Sequence, residues 1–158
     1  MKKKLGMLEI SIVLFFYILP VISIAADMIV FHETTVLQVI LKWCVFWGVG
    51  LRLFTAGFKQ ALTPAFTAKT IFEVTDAKAF PIVRELGFAN ICTGFIGTIS
   101  LFFPNFRLAA AIVGTLYFSL ALFQHLFRKK KNATEMFVTI TDLSIVLELA
   151  VPLCAIAF

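Results

Sequence analysis

Apolar residues dominate five stretches of this chain, each close to the roughly 20 residues that a helix needs to cross a bilayer. The stretches run over about Leu8 to Val30, Val36 to Phe58, Glu85 to Phe103, Phe106 to Phe127 and Met136 to Ala157. The one long connection lies between the second and third. There Thr63 and Pro64 read as a helix N-cap and first helical position, and Ala65, Ala68, Ile71 and Phe72 recur at near-helical spacing with Lys69 and Glu73 between them. This pattern predicts a short amphipathic helix in the membrane interface, with a lid over a cavity as the alternative use of the same segment. Residues Asp76 to Phe80 should then turn the chain into the third span at Pro81.

Punctuation refines the picture. Pro104 and Asn105 mark a turn, so spans three and four are expected to form a tight antiparallel hairpin. Ala89, Thr93 and Gly97 on span three, and Ala111, Thr115 and Ser119 on span four, form small-residue stripes that allow helices to approach closely. Pro20 predicts a kink in span one, because it lacks the N–H of a helical hydrogen bond and crowds the preceding turn. Span one follows Lys2, Lys3 and Lys4, and Ser23, Ile24 and Ala25 resemble a signal-peptide cleavage site. Glu9 interrupts that basic start and apolar character resumes at Met28 to Phe31, so an uncleaved span is expected.

Composition agrees with a bilayer setting. Of 158 residues, 61% are hydrophobic and only 15% charged, and the mean hydropathy is +0.99, against about 45–50% apolar content in ordinary soluble domains. The expected fold is all-α: a single-domain integral membrane bundle of five transmembrane helices, one N-terminal span plus a four-helix core, with the interfacial helix between spans two and three. The net charge of +5 sits beside the spans and forms no basic face on a soluble unit, so it reads as a topology signal and not as a nucleic-acid surface. Cys44, Cys92 and Cys154 all fall in apolar runs, giving neither a disulfide framework nor metal-ligand spacing.

Orientation follows from the bases. With the N-terminus in the cytoplasm, Lys2, Lys3, Lys4, Lys59, Lys69, Lys78, Arg84, Arg128, Lys129, Lys130 and Lys131 all fall inside, eleven of the 14 Lys and Arg. Arg107 alone falls outside, and the cytoplasmic excess of Lys and Arg is the rule for such proteins. The expected location is the inner, cytoplasmic membrane, with the C-terminus outside. Asn132-Ala133-Thr134 matches a glycosylation sequence but is placed on the inner side and should stay unmodified.

The remaining bases, Lys42 and Arg52, lie inside span two. An unpaired charge in the bilayer costs roughly 2.5–3.5 kcal/mol even on insertion scales, so partners are expected. At about 1.5 Å per residue, Lys42 lies ~9 Å from the outer end of its span and Asp142 ~9 Å from the inner end of span five. Depth therefore matches Arg52 with Asp142 and Lys42 with Glu148; Glu85 and Asp27 are the second choices. A polar intramembrane site of Lys42, Arg52, Glu85, Asn90, Asp142 and Glu148 is the expectation, set against ion pairs that only fix helix register and against snorkelling of the two bases.

Other chemistry is thin. His32 and His125 fall at opposite membrane faces, too far apart to share a haem; His125 is expected at headgroup level, with proton relay as its alternative role. No phosphate loop, metal-ligand cluster or catalytic triad appears, so the chain is not expected to be an enzyme by itself. The 19 Phe residues suit lipid contact and aromatic packing better than a stacked quinone or flavin site.

The segment WGVGLRLFTAGFKQALTPAFTAKTIF, leading into AFPIVRELGFANICTGFIGTIS, resembles the DoxX-like group of small bacterial membrane proteins and allied families of unknown function. Arg52, Gly57, Glu85, Gly87, Phe88, Ala89, Asn90 and Gly94 carry the likeness, which covers about residues 36 to 157. The resemblance implies a membrane-embedded accessory subunit linked to redox or stress defence, contact with a quinone, and a membrane or soluble oxidoreductase as partner. Two rival functions remain: a small transporter or channel, homo-oligomeric because five helices enclose little volume, and a structural membrane partner without a ligand. Topology is checked by fusing a cytoplasm-dependent fluorescent reporter to the C-terminus: no signal is expected there, and a signal reverses the assignment.

Overall fold

The computed structural model describes residues 6–32, 35–128 and 133–157. Lys2, Lys3, Lys4, residues 129–131 and Asn132 of the Asn132-Ala133-Thr134 sequence lie outside that set. Among the described residues every regular element is helical. Five helices are long and apolar enough to cross a membrane: α1 (Met7–Val30), α2 (Val36–Leu62), α4 (Ala77–Ile99), α5 (Pro104–Phe127) and α6 (Ala133–Ala157). The short α3 (Pro64–Thr70) lies between α2 and α4. The outward surface is apolar, with Ile22, Phe88, Phe95, Leu120, Phe123 and Ile140 among its exposed side chains, as a helix face turned to lipid requires.

One end of the bundle is basic. The start of α1 meets the start of α6 there through Thr134 Oγ1 donating to Glu9 Oε1 at 3.0 Å. Arg84 reaches back to the Ala61 carbonyl at 3.2 Å, and Arg128 donates to the carbonyls of Ile71 and Phe72 at 3.1 and 3.0 Å. Arg128 thus neutralises peptide dipoles just past the end of α3. The turn that presents those carbonyls contains Glu73 at φ 57, a left-handed conformation unusual for a residue with a Cβ.

The helices are not uniformly α. Leu14–Ile18 and Val45–Leu51 are π-helical. In the first, the Leu19 N–H bonds to the Leu14 carbonyl five residues back, immediately before Pro20. The wider turn makes room for a ring that would crowd an α-helical carbonyl, so the expected kink takes the form of a π segment. The second lies between Lys42 and Arg52 and rewinds α2, changing the angle at which the two bases leave it.

A hydrophobic core joins α1, α2, α5 and α6 through Ile12, Phe16, Val45, Val49, Ala111, Phe118, Ile145 and Leu149. Phe16 meets Phe118 edge-on, with ring centroids 5.6 Å apart. Helix α4 packs on another face of α2, and there backbone nearly touches backbone. A Cβ added at Gly94 would lie 2.4 Å from the Phe54 amide nitrogen, one at Gly57 2.6 Å from the Gly87 carbonyl oxygen, and one at Gly97 2.6 Å from the Gly50 nitrogen.

This corrects the expected stripes. The small residues used on α4 are Gly87, Gly94 and Gly97, whereas Ala89 is exposed, and the closest partner is α2 rather than α5. Helix α4 also begins well before Glu85, with a 3-10 turn at Ala77–Ala79 whose Lys78 N–H donates to Asp76 Oδ1 at 2.9 Å. Pro81, whose fixed φ suits a first helical turn, stands in the first turn of the α-helical part, at the expected entry into the span.

Lipid supplies no hydrophobic drive between helices, so α2–α4 association depends on this close approach. Gly94→Val should destabilise the protein by at least about 1–3 kcal/mol, the usual cost of overpacking, whereas Phe88→Ala on the outward face should change little. Thermal unfolding in micelles measures both.

Candidate functional site

Near the end of the bundle opposite the bases, Lys42 on α2 forms an ion pair with Asp27 on α1. Trp43 Nε1 donates to the same Asp27 oxygen at 2.7 Å, and one turn further along α2 Trp47 Nε1 donates to Ser23 Oγ at 2.9 Å. Successive indoles of α2 therefore fasten α1, while Asp27 is buried, with 6% exposure. In a low-dielectric setting each of these contacts stabilises more than it would in water, and loss of one partner strands the other.

Toward the basic end lies a cavity of about 500 Å³, within the range typical of small-molecule sites. Phe15, Phe16, Phe66, Phe72 and Phe118 supply much of its apolar wall, and α3 closes part of it through Phe66 and Thr67. Its polar lining includes Arg52, Lys59 and Gln60 on α2, Asn90 on α4, Tyr117, Gln124 and His125 on α5, and Asp142 on α6, with hydroxyls of Ser11, Thr55 and Thr67 besides. Arg52 is the first residue after the π segment, and its N–H bonds to the Trp47 carbonyl five residues back. Asn90 lies one turn from Gly87 and one from Gly94, so the glycine contacts that press α4 onto α2 also bring Asn90 Nδ2 to 2.7 Å from Gln60 Oε1.

Three cavity residues carry buried polar atoms without a hydrogen-bond partner among the described residues: Arg52 Nε, Asn90 Oδ1 and Asp142 Oδ2. Each such atom costs about 1–3 kcal/mol. A donor and two acceptors are thus held ready beside an apolar chamber. Arg52 and Asp142 form no ion pair within 4.0 Å, although both line the space.

A second polar group adjoins the cavity at its basic end. His125 Nδ1 is 3.2 Å from Glu135 Oε1 and His125 Nε2 is 4.0 Å from Asp142 Oδ2. Arg128 Nη1 is also 3.2 Å from Glu135 Oε1. His125, Glu135 and Asp142 are all buried, Glu135 completely so. Seven residues separate Glu135 from Asp142, two helical turns, so both carboxylates share one face of α6.

The predicted residues therefore divide. Arg52, Asn90 and Asp142 are brought to one cavity. Lys42 joins Asp27, the second choice, and not Glu148, because α1 packs against the first turns of α2 and supplies a carboxylate directly beside it. Glu148 instead lies 3.9 Å from Cys44 Sγ. Glu85 is exposed on α4 and lines no part of the cavity, since the face of that helix turned to α2 carries Gly87, Asn90 and Gly94. His125 lies in the last turn of α5 and is buried there against its neighbours. Sequence reasoning missed Gln60, Tyr117 and Glu135; for Glu135 a signal existed, because it begins span five just as His125 ends span four. Among the described residues no three His, Cys, Asp or Glu side chains could hold a metal ion.

The fold and cavity define a helical bundle of membrane type with a polar pocket in one half. The chain belongs to a family of unknown function, DUF6790, whose model matches residues 10–158. No curated protein and no solved structure matches it.

The Asp27–Lys42 contact is tested by a double-mutant cycle. Lys42→Met alone should destabilise by about 3–5 kcal/mol, as when one partner of a buried pair is removed. Adding Asp27→Leu should recover part of that loss, and unfolding in micelles reads the coupling.

Proposed function

We propose that this chain is an integral membrane protein that binds a small amphiphilic molecule in the cavity between α1, α2, α4, α5 and α6. The observation that carries this reading is the set of unpartnered atoms: Arg52 Nε can donate, while Asn90 Oδ1 and Asp142 Oδ2 can accept. A ligand head that both accepts and donates hydrogen bonds answers that set, and its apolar body suits the surrounding Phe rings. A quinol has these properties, with hydroxyl groups that donate and accept and a flat ring for aromatic contact. That reading accords with the DoxX-like resemblance and its implied redox-linked accessory role beside an oxidoreductase.

In this proposal the basic end faces the cytoplasm, because Lys59, Lys69, Lys78, Arg84 and Arg128 gather there. The N-terminus is then inside and the C-terminus outside the cytoplasmic membrane. Helix α3 lies at the inner interface with Lys69 toward water and Phe66 against the cavity, where Lys59 Nζ sits 3.6 Å from the centre of the Phe66 ring. A transmembrane conduit is less favoured, since neither Lys42 nor Glu148 lines the cavity. A ligand-free structural role is less favoured too, because the interior is incompletely paired.

The test is equilibrium binding of a short-tailed ubiquinol to protein in lipid nanodiscs. Saturable binding is expected, and Arg52→Gln should weaken it at least about 10-fold, the equivalent of losing one charged hydrogen bond of 1.5–3 kcal/mol. Absence of binding, or equal binding by the variant, removes the proposal.

A further inference from the structure

We infer that His125 is a proton relay between Asp142, which lines the cavity, and Glu135 toward the basic end of the bundle. Geometry carries the assignment. The ring stands between two buried carboxylates, with Nδ1 3.2 Å from Glu135 Oε1 and Nε2 4.0 Å from Asp142 Oδ2. Arg128 Nη1 donates to that same Glu135 oxygen at 3.2 Å, so this oxygen is placed as an acceptor, and it accepts from a ring N–H in the same way. Glu135 therefore holds the proton of the neutral ring on Nδ1, and the lone pair of Nε2 is left toward Asp142. This is the arrangement by which a carboxylate selects the tautomer of a histidine and presents its other nitrogen as a base.

The hand-over is balanced. The O–H bond of protonated Asp142 breaks as Nε2–H forms, and the Nδ1–H bond breaks as a proton passes to Glu135. Net charge moves from one carboxylate to the other, and the ring is left as the opposite tautomer. Release of that proton from Glu135 at the basic end and uptake of another there let the same two transfers run in reverse, which restores the starting tautomer and exchanges one proton at Asp142. The 4.0 Å gap is too long for a hydrogen bond and closes by a small rotation of the Asp142 carboxyl group; catalytic contacts are commonly loose before a ligand is bound.

The charged and titratable neighbours come from several elements. Arg52 and Lys59 of α2 and Tyr117 of α5 line the cavity with Asp142, while Glu73, in the turn after α3, is 3.9 Å from Arg128. Arg52 and Asp142 line one chamber, so a ligand head that engages Arg52 lies beside the carboxyl group from which the relay starts. The relay itself does not depend on the identity of the ligand, and its test uses none.

The chain contains two histidines, so His32→Gln leaves His125 as the single reporter in ¹⁵N-histidine spectra of protein in nanodiscs. The neutral ring should carry its proton on Nδ1, and Glu135→Ala should move it to Nε2; a proton on Nε2 in the chain with Glu135 intact overturns the inference. Infrared spectroscopy after a light-triggered pH jump follows the Asp142 carboxyl band, identified by its loss in Asp142→Asn. His125→Asn should slow proton exchange at Asp142 about 100-fold, within the usual range for a positioned acid–base group, and added imidazole should restore it. An unchanged exchange rate, or an Asp142 that never protonates, also overturns it. If His125→Asn fails to insert, the tautomer measurement with native His125 still decides.

Discussion

An unpaired charge in hydrocarbon is costly, and that single constraint arranges the polar side chains of this bundle. Lys42 meets it by pairing with Asp27. The pair does more than neutralise: with the two indole hydrogen bonds from Trp43 and Trp47, it fixes α1 in register along α2. Phe16 is then placed against Phe118 in the shared core. In one half of the protein, charge compensation and helix packing are the same interaction.

The other half departs from that economy. Arg52 and Asp142 stand around a common chamber without closing on each other, and the polar atoms left open are complementary in type. Close contact between α2 and α4 holds this arrangement in place. The glycine contacts at Gly57, Gly87 and Gly94 bring Asn90 and Gln60 together, while the π segment at Val45–Leu51 sets the direction from which Arg52 enters. In the function proposed for this chain, a ligand head meets those polar atoms, and the His125–Glu135 pair gives the same chamber a route for a proton.

Much of this was legible in the amino-acid pattern. Each of the five apolar stretches overlaps one long helix, and the break at Thr63-Pro64 and the turn at Pro104-Asn105 mark real element boundaries, because length and backbone chemistry determine them locally; the start of α4 lies eight residues before the predicted Glu85. The pairing of Arg52 and Asp142 by depth found two residues of one cavity, since helical rise converts sequence position into height. Depth says nothing about azimuth. It therefore set Lys42 beside Glu148 when the neighbouring α1 offered Asp27, and it admitted Glu85, which points away on α4. Two π segments shifted phases that a 3.6-residue period assumes, and the glycine face of α4 could be identified only once its partner helix was known. Apolar length puts His125 at the end of its helix, where the structure has it; its burial against Glu135 depends on the packing of α6 beside α5, which length does not reveal.

The central claim is that the Arg52–Asp142 chamber is an open, occupied site in a bilayer. An experimental structure determined in nanodiscs of native lipid tests it most directly. The account predicts separated Arg52 and Asp142 side chains with density between them that also contacts Asn90. A closed chamber, with the guanidinium bonded directly to the carboxylate and Asn90 satisfied by protein alone, would contradict it.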